Sequence, residues 1–143
     1  MTAIDDLYQA GTSTWLDDLS RERIATGNLA EVKDAKSIVG VTTNPAIFAA
    51  AMGSGTHYDE QLAELKQAGT TADAAVYVMS VKDVQDACDL FRDTYEATGG
   101  KDGRVSIEVD PRFAADEQKT IAQARELWQL VDRDNLMIKI PAT

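Results

Sequence analysis

A chain of 143 residues, 44% apolar and 27% charged with 9 Gly and 3 Pro, has the composition of a globular protein with one core, which excludes disordered, collagen-like and membrane-embedded classes. The 24 acidic and 14 basic side chains leave a formal charge of −10, so nucleic acid is not an expected partner, although a few local donors can still hold a small phosphorylated substrate. Cys88 is the only cysteine, and the amino terminus MTAIDDLYQAG carries acids where a signal peptide needs a basic and then an apolar stretch; no internal disulfide or cysteine-rich zinc site is possible, no membrane segment is expected, and a reducing cytoplasm fits best.

In chain order, Ile4, Leu7 and Tyr8 at helical spacing before Gly11 predict a short amphipathic helix over 3–10. Thr12 to Leu16 is β-branched and aromatic, a strand closed by Asp17 and Asp18. Ser20 caps a helical turn over 21–25, Gly27 breaks it, and Asn28 is placed to cap a second one through Lys33. The run Ser37 to Thr43 reads as a buried parallel strand, followed at once by Asn44 as N-cap and Pro45 as first helical residue of a helix through Met52.

Beyond the joint Gly53-Ser54-Gly55, the stretch 57–68 has helical spacing of Leu62 and Leu65. A helix is expected over 71–78, and Ser80 with Asp83 suggests a capping-box variant opening another, with Val84, Ala87, Cys88, Phe91 and Tyr95 as its buried stripe. Gly99-Gly100 ends it. Arg104 to Val109 alternates like a strand stopped by Asp110-Pro111; 114–131 forms a helix with Ile121, Ala124, Trp128 and Val131 on one face; Leu136 to Ile140 is the last strand. Four strands separated by helices specify a parallel α/β sheet, either open or half of a closed barrel. A bare parallel edge is a liability for a solitary protein, so a truncated chain is the expectation.

Parallel folds gather reactive side chains at the carboxyl ends of strands. Asp17, Asn44, Glu108 and Lys139 occupy such ends, and an amine with two carboxyl groups and an amide suits imine chemistry: the lysine attacks a ketone and the acids move protons. Each has a plainer alternative. Lys139 alternates with the aliphatic residues of its strand, which places it either inside a barrel, where burial favours the nucleophilic neutral amine, or in water as an edge-strand charge. Asp17 and Glu108 suit proton transfer but also serve as turn and cap residues, and a bulge would exchange Asp17 for Asp18. Asn44 suits a sugar hydroxyl, yet its N-cap role already explains it, and Thr42 and Thr43 share that ambiguity. His57 is expected in a solvated helix and Cys88 in the core. The sequence has neither a glycine-rich phosphate loop nor a metal-ligand cluster.

The stretches Gly11-Thr-Ser-Thr-Trp-Leu-Asp-Asp-Leu-Ser20, Gly40-Val-Thr-Thr-Asn-Pro-Ala-Ile-Phe48, Arg104-Val-Ser-Ile-Glu-Val-Asp-Pro111 and Asn135-Leu-Met-Ile-Lys-Ile-Pro-Ala142 together resemble the transaldolases, particularly the actinobacterial form, over essentially the whole chain. The resemblance implies the amino-terminal half, strands 1 to 4, of a (β/α)8 TIM barrel, with residues 1–143 as a single incomplete domain. It implies Lys139 as Schiff-base lysine, Glu108 as an acid/base relay acting through a water, Asp17 as the proton-transferring aspartate, and Asn44 and Thr43 as substrate contacts. No metal or organic cofactor is implied. The implied reaction moves a dihydroxyacetone unit from a ketose phosphate such as sedoheptulose 7-phosphate to glyceraldehyde 3-phosphate, in the pentose phosphate pathway. The phosphate-binding arginine of the family lies on later strands, so the chain is expected to need a carboxyl-terminal half or self-association and to be poorly active or inactive alone. Two competing readings are an aldolase acting on fructose 6-phosphate and a non-catalytic half-barrel assembly module.

Overall fold

The computed structural model describes residues 2–142; Met1 and Thr143, which the predicted domain span includes, lie outside the described residues. Helix α1 (Ala3–Gln9) starts in a reciprocal capping box between Thr2 and Asp5. It buries no side chain and is tied down instead through Asp102, which accepts from the Tyr8 hydroxyl at 3.1 Å and the Ser13 hydroxyl at 2.6 Å. The chain continues through β1 (Trp15–Leu16), α2 (Arg21–Ala25), α3 (Asn28–Lys36), β2 (Gly40–Val41), α4 (Pro45–Met52), α5 (Asp59–Gln67), α6 (Ala72–Leu90), α7 (Arg92–Ala97), β3 (Arg104–Glu108), a 3-10 turn (Pro111–Phe113), α8 (Glu117–Val131) and β4 (Leu136–Lys139). The strands form one parallel sheet in the order β1-β2-β3-β4, the arrangement of the amino-terminal half of a (β/α)8 barrel.

Alternation along β3 sends Val105 and Ile107 to one face and Ser106 and Glu108 to the other. On the first face the core forms: Val41, Val105, Ile107 and Leu136 from the sheet meet Phe48, Val84, Phe91 and Leu127 from α4, α6 and α8, with Phe91 at the end of α6. On the second face Ser106 is paired in register with Met137, and Glu108 with Lys139. Gly40 lies under the Trp15 ring, where an added Cβ would come within 2.5 Å of the indole, so only glycine lets β1 and β2 approach there. Gly103 combines φ of +75° with backbone packing that would put a Cβ 2.2 Å from the Tyr95 nitrogen.

Several elements differ from their predicted bounds for local reasons. The first two strands have two residues each: Thr12 N–H is spent on the Leu7 carbonyl at the end of α1, and Ser37, at φ 49°, ends α3 in the left-handed region. Asn28 does not cap α3; Gly27 holds the cap position at φ 79°, and Asn28 accepts from Arg23 instead. Residues 72–90 form one uninterrupted helix. Ser80 does not cap within it; its hydroxyl donates to the Val76 carbonyl, because no glycine or proline breaks the ladder there. On α8 the buried residues are Thr120, Leu127 and Val131, whereas Ile121 and Trp128 are 37% and 49% exposed, so the buried stripe is rotated about one residue from the predicted face.

Candidate active site

The alternation that buries Val105 and Ile107 delivers Glu108 to the carboxyl end of β3, level with Lys139 at the end of β4. The Lys139 ammonium lies 3.6 Å from Glu108 Oε2, with the lysine side chain 38% exposed and the glutamate 11%. Its Nζ also donates to Thr42 Oγ1 at 3.4 Å and to the Thr43 carbonyl at 3.3 Å. A second polar layer supports these acceptors: Ser106 Oγ donates to Thr42 Oγ1 at 2.9 Å, and Thr43 Oγ1 donates to the Ser106 carbonyl at 2.6 Å. The amine is thus held by three oxygen acceptors from two neighbouring segments, the turn after β2 and the end of β3, while remaining open on one side to a reactant.

Thr43 is fully buried and its hydroxyl is engaged, so toward the lysine it presents its carbonyl; the hydroxyl beside the amine is that of Thr42. Asn44 caps α4, its Oδ1 accepting from Ile47 N–H at 3.0 Å. That use of the oxygen leaves the amide nitrogen as the group able to donate to a ligand. Asn44 lines a shallow depression of about 780 Å³ with Asp17, Asp18, Ser20 and Arg23, and also a smaller, mainly apolar cleft of about 240 Å³ beside Glu108 and Tyr77. Burial pushes the Tyr77 phenol up to about 12, so it stays protonated at neutral pH.

The two aspartates after β1 have different surroundings. Asp18 is paired with Arg23 at 2.6 Å. Asp17 is exposed and follows directly on β1, in a bend. Asp17 forms neither hydrogen bond nor ion pair with Lys139 or Glu108 among the described residues. The structure therefore gathers Lys139, Glu108 and Thr43, sets Asn44 in one cleft with Glu108, and leaves Asp17 in the depression it shares with Asn44, which neither Lys139 nor Glu108 lines. His57 is exposed. Cys88 is core, its thiol pushed up to about 12 by burial.

Sequence reasoning passed over Ser106, although the period-two pattern Ser106-Ile107-Glu108 marks it as facing the same way as Glu108. It also passed over the buried cluster of Arg21, Tyr58 and Asp83, for which no local pattern exists, since the three residues are far apart in sequence. Among the described residues, no group of three or more His, Cys, Asp or Glu side chains is placed to hold a metal ion, and no helix is long and apolar enough to cross a membrane.

Residues 14–143 match the family model described as Transaldolase/Fructose-6-phosphate aldolase. The chain is 60% identical over 140 residues to a protein named Transaldolase 1 from Streptomyces avermitilis, covering 98% of this chain and 37% of that relative. It is 60% identical over 141 residues to Transaldolase 1 from Streptomyces coelicolor, covering 99% and 37%, and 59% identical over 137 residues to Transaldolase from Mycolicibacterium smegmatis, covering 96% and 37%. The chain thus spans well under half the length of these relatives.

Proposed function

The chain belongs to the transaldolase/fructose-6-phosphate aldolase family, and on that premise we propose that it carries the imine-forming part of a transaldolase active site. The observation that carries this reading is the pairing of Lys139 with Glu108 at 3.6 Å at adjoining strand ends. In this reading the Lys139 amine attacks the carbonyl carbon of a ketose phosphate such as sedoheptulose 7-phosphate. Glu108, through a water, gives the carbinolamine hydroxyl the proton with which it leaves as water, and an iminium forms. Asp17 then takes the proton of the hydroxyl on the fourth carbon as the bond between the third and fourth carbons breaks. The electron pair passes into the iminium to give an enamine, and erythrose 4-phosphate departs. The enamine carbon attacks glyceraldehyde 3-phosphate, Asp17 returns the proton to the new alkoxide, and water releases fructose 6-phosphate from Lys139. Asn44 holds hydroxyls of the three-carbon unit through its amide, and Thr43 contributes through its carbonyl beside the amine.

Transfer is favoured over release of free dihydroxyacetone by the relatives, which are named transaldolases. The setting we infer is the pentose phosphate pathway in the cytoplasm. We read residues 1–143 as four strands of one barrel domain, whose remaining strands come from a carboxyl-terminal continuation or a second copy. The open edge of β4 supports this, with Met137 and Ile140 44% and 55% exposed. The test is a transfer assay on the protein at its full natural length with sedoheptulose 7-phosphate, with and without glyceraldehyde 3-phosphate. Fructose 6-phosphate formed only with the acceptor, and lost in Lys139→Ala, is the expected result. Free dihydroxyacetone without acceptor would reassign the protein as an aldolase, and turnover surviving Lys139→Ala would reject the mechanism.

A further inference from the structure

Asp17 is exposed and sits in a loop, so something other than its own contacts must fix where its carboxylate stands. One fastening of that loop is the Asp18–Arg23 pair, with side chains 43% and 31% exposed; a pair this open to water and salt holds little. Two others are buried: Leu19, 0% exposed, sits in the core, and the first residue of α2 joins a polar cluster. Arg21, the first residue of α2, donates through Nε to Asp83 Oδ1 at 2.8 Å, and its backbone N–H donates to the Tyr58 hydroxyl at 2.9 Å. The same hydroxyl donates to Asp83 Oδ2 at 2.6 Å, and the guanidinium lies 4.5 Å from the centre of the Tyr58 ring. Asp83 is 0% exposed and Tyr58 4%.

A carboxylate buried this deeply is an expensive way to add stability, since an apolar side chain of similar volume often serves as well; what it adds is a fixed geometry. That geometry joins three places. Arg21 ends the loop that begins at Asp17, Tyr58 immediately precedes α5, and Asp83 lies on α6, whose Val84 and Ala87 pack in the same core as Val105 and Ile107 of β3. The strand carrying Glu108 and the loop carrying Asp17 are thereby referred to one helix. We propose that the Arg21–Tyr58–Asp83 cluster is a positioning device that holds the Asp17 loop in register with the Lys139–Glu108 pair. Its members touch no substrate; they act through Asp17. The inference rests on the transaldolase reading above, in which Asp17 works at carbon–carbon cleavage and not at imine formation.

The distinction gives the test. In the protein at its full natural length, Tyr58→Phe keeps the ring and removes the hydroxyl shared by the other two residues, and Asp83→Asn removes the charge while keeping the shape. Two rates are measured for each: formation of the borohydride-reducible ketose phosphate adduct, and single-turnover release of erythrose 4-phosphate. Cleavage is expected to fall tenfold or more while adduct formation stays within twofold. In an Asp17→Asn background, Tyr58→Phe is expected to add no further loss of cleavage. Adduct formation and cleavage falling together, or Tyr58→Phe costing as much in the Asp17→Asn background as in the parent, would overturn the proposal. Tyr58→Phe retains its ring packing and so keeps the test open if Asp83→Asn fails to fold. Absence of any adduct in the unsubstituted protein would reject the transaldolase reading instead, so the two failures are distinct.

Discussion

The two faces of the sheet obey different rules. Toward the helices, Val105 and Ile107 of β3 are 0% and 1% exposed and pack in a cluster of apolar side chains from α4, α6 and α8. Toward the other side the same strand presents Ser106 and Glu108, which meet Thr42, Thr43 and Lys139 through hydrogen bonds and an ion pair. One face is satisfied by contact area and tolerates no vacancy; the other is satisfied by directed polar contacts and keeps one side of the amine accessible. Since successive side chains of a strand point to opposite faces, the register that seals the core also aligns Glu108 with Lys139. Stability and chemistry are separated by a single residue of alternation, and a one-residue slip would exchange them.

That comparison can be broken from either side. The largest effect on stability is expected from Phe91→Ala, which empties a fully buried site and should cost about 3–5 kcal/mol in denaturant unfolding. A cost below about 1 kcal/mol would mean that the helical face is not the packed apolar cluster described. Gly40→Ala comes next: its methyl group would meet the Trp15 ring at 2.5 Å, and the overpacking should cost about 1–3 kcal/mol by the same measurement. Restoration of stability by a smaller residue at Trp15 would sharpen the assignment.

Asn44→Ala should cost about 0.5–2 kcal/mol, the worth of a side-chain cap. Asn44→Ser restores the cap but not the amide, so it should recover stability while leaving KM for the ketose phosphate raised. Recovery of both would reduce Asn44 to a cap. The smallest effects are expected from acid. Hydrogen bonds from Arg133, Lys33 and Arg112 hold the Asp89, Asp93 and Asp110 carboxyls, respectively, below their ordinary value. A carboxyl made more acidic by folding contributes stability that is complete above its unfolded value, near pH 4, and is lost as the pH falls through the lower folded value. Asp83 has the opposite sign, because burial raises it. Melting temperature should therefore fall modestly below about pH 4, and removing one of the three partners, as in Arg133→Gln, should flatten that fall.

The existence of four parallel strands and the placing of Glu108 and Lys139 near strand ends were readable because they rest on local chemistry: β-branched runs, an Asn-Pro boundary, and a period of two through Ser106, Ile107 and Glu108; the order of the strands followed only from the family resemblance. Helix continuity through Ser80 was not readable, since a serine suits both a cap and a back-bonded position inside a helix, and only tertiary packing decides. The offset of the α8 stripe has the same origin: Thr120 is buried because its hydroxyl reaches the Phe113 and Asp116 carbonyls, a contact invisible to hydrophobic periodicity. Of the candidate site, the lysine and glutamate were suggested by their places on the strands, whereas the hydroxyl layer under them and the cluster behind Asp17 depend on residues brought together from distant segments.

The separation of the faces is tested most directly by reducing the full-length protein with borohydride in the presence of sedoheptulose 7-phosphate, mapping the adduct by peptide mass, and comparing Lys139→Ala. The account predicts one modified residue, Lys139, no adduct in the variant, and unfolding free energy lowered by no more than the ~1 kcal/mol of a partly exposed ion pair. An adduct on another lysine, or a Lys139→Ala protein destabilised as much as the core variant Phe91→Ala, about 3 kcal/mol or more, would contradict it.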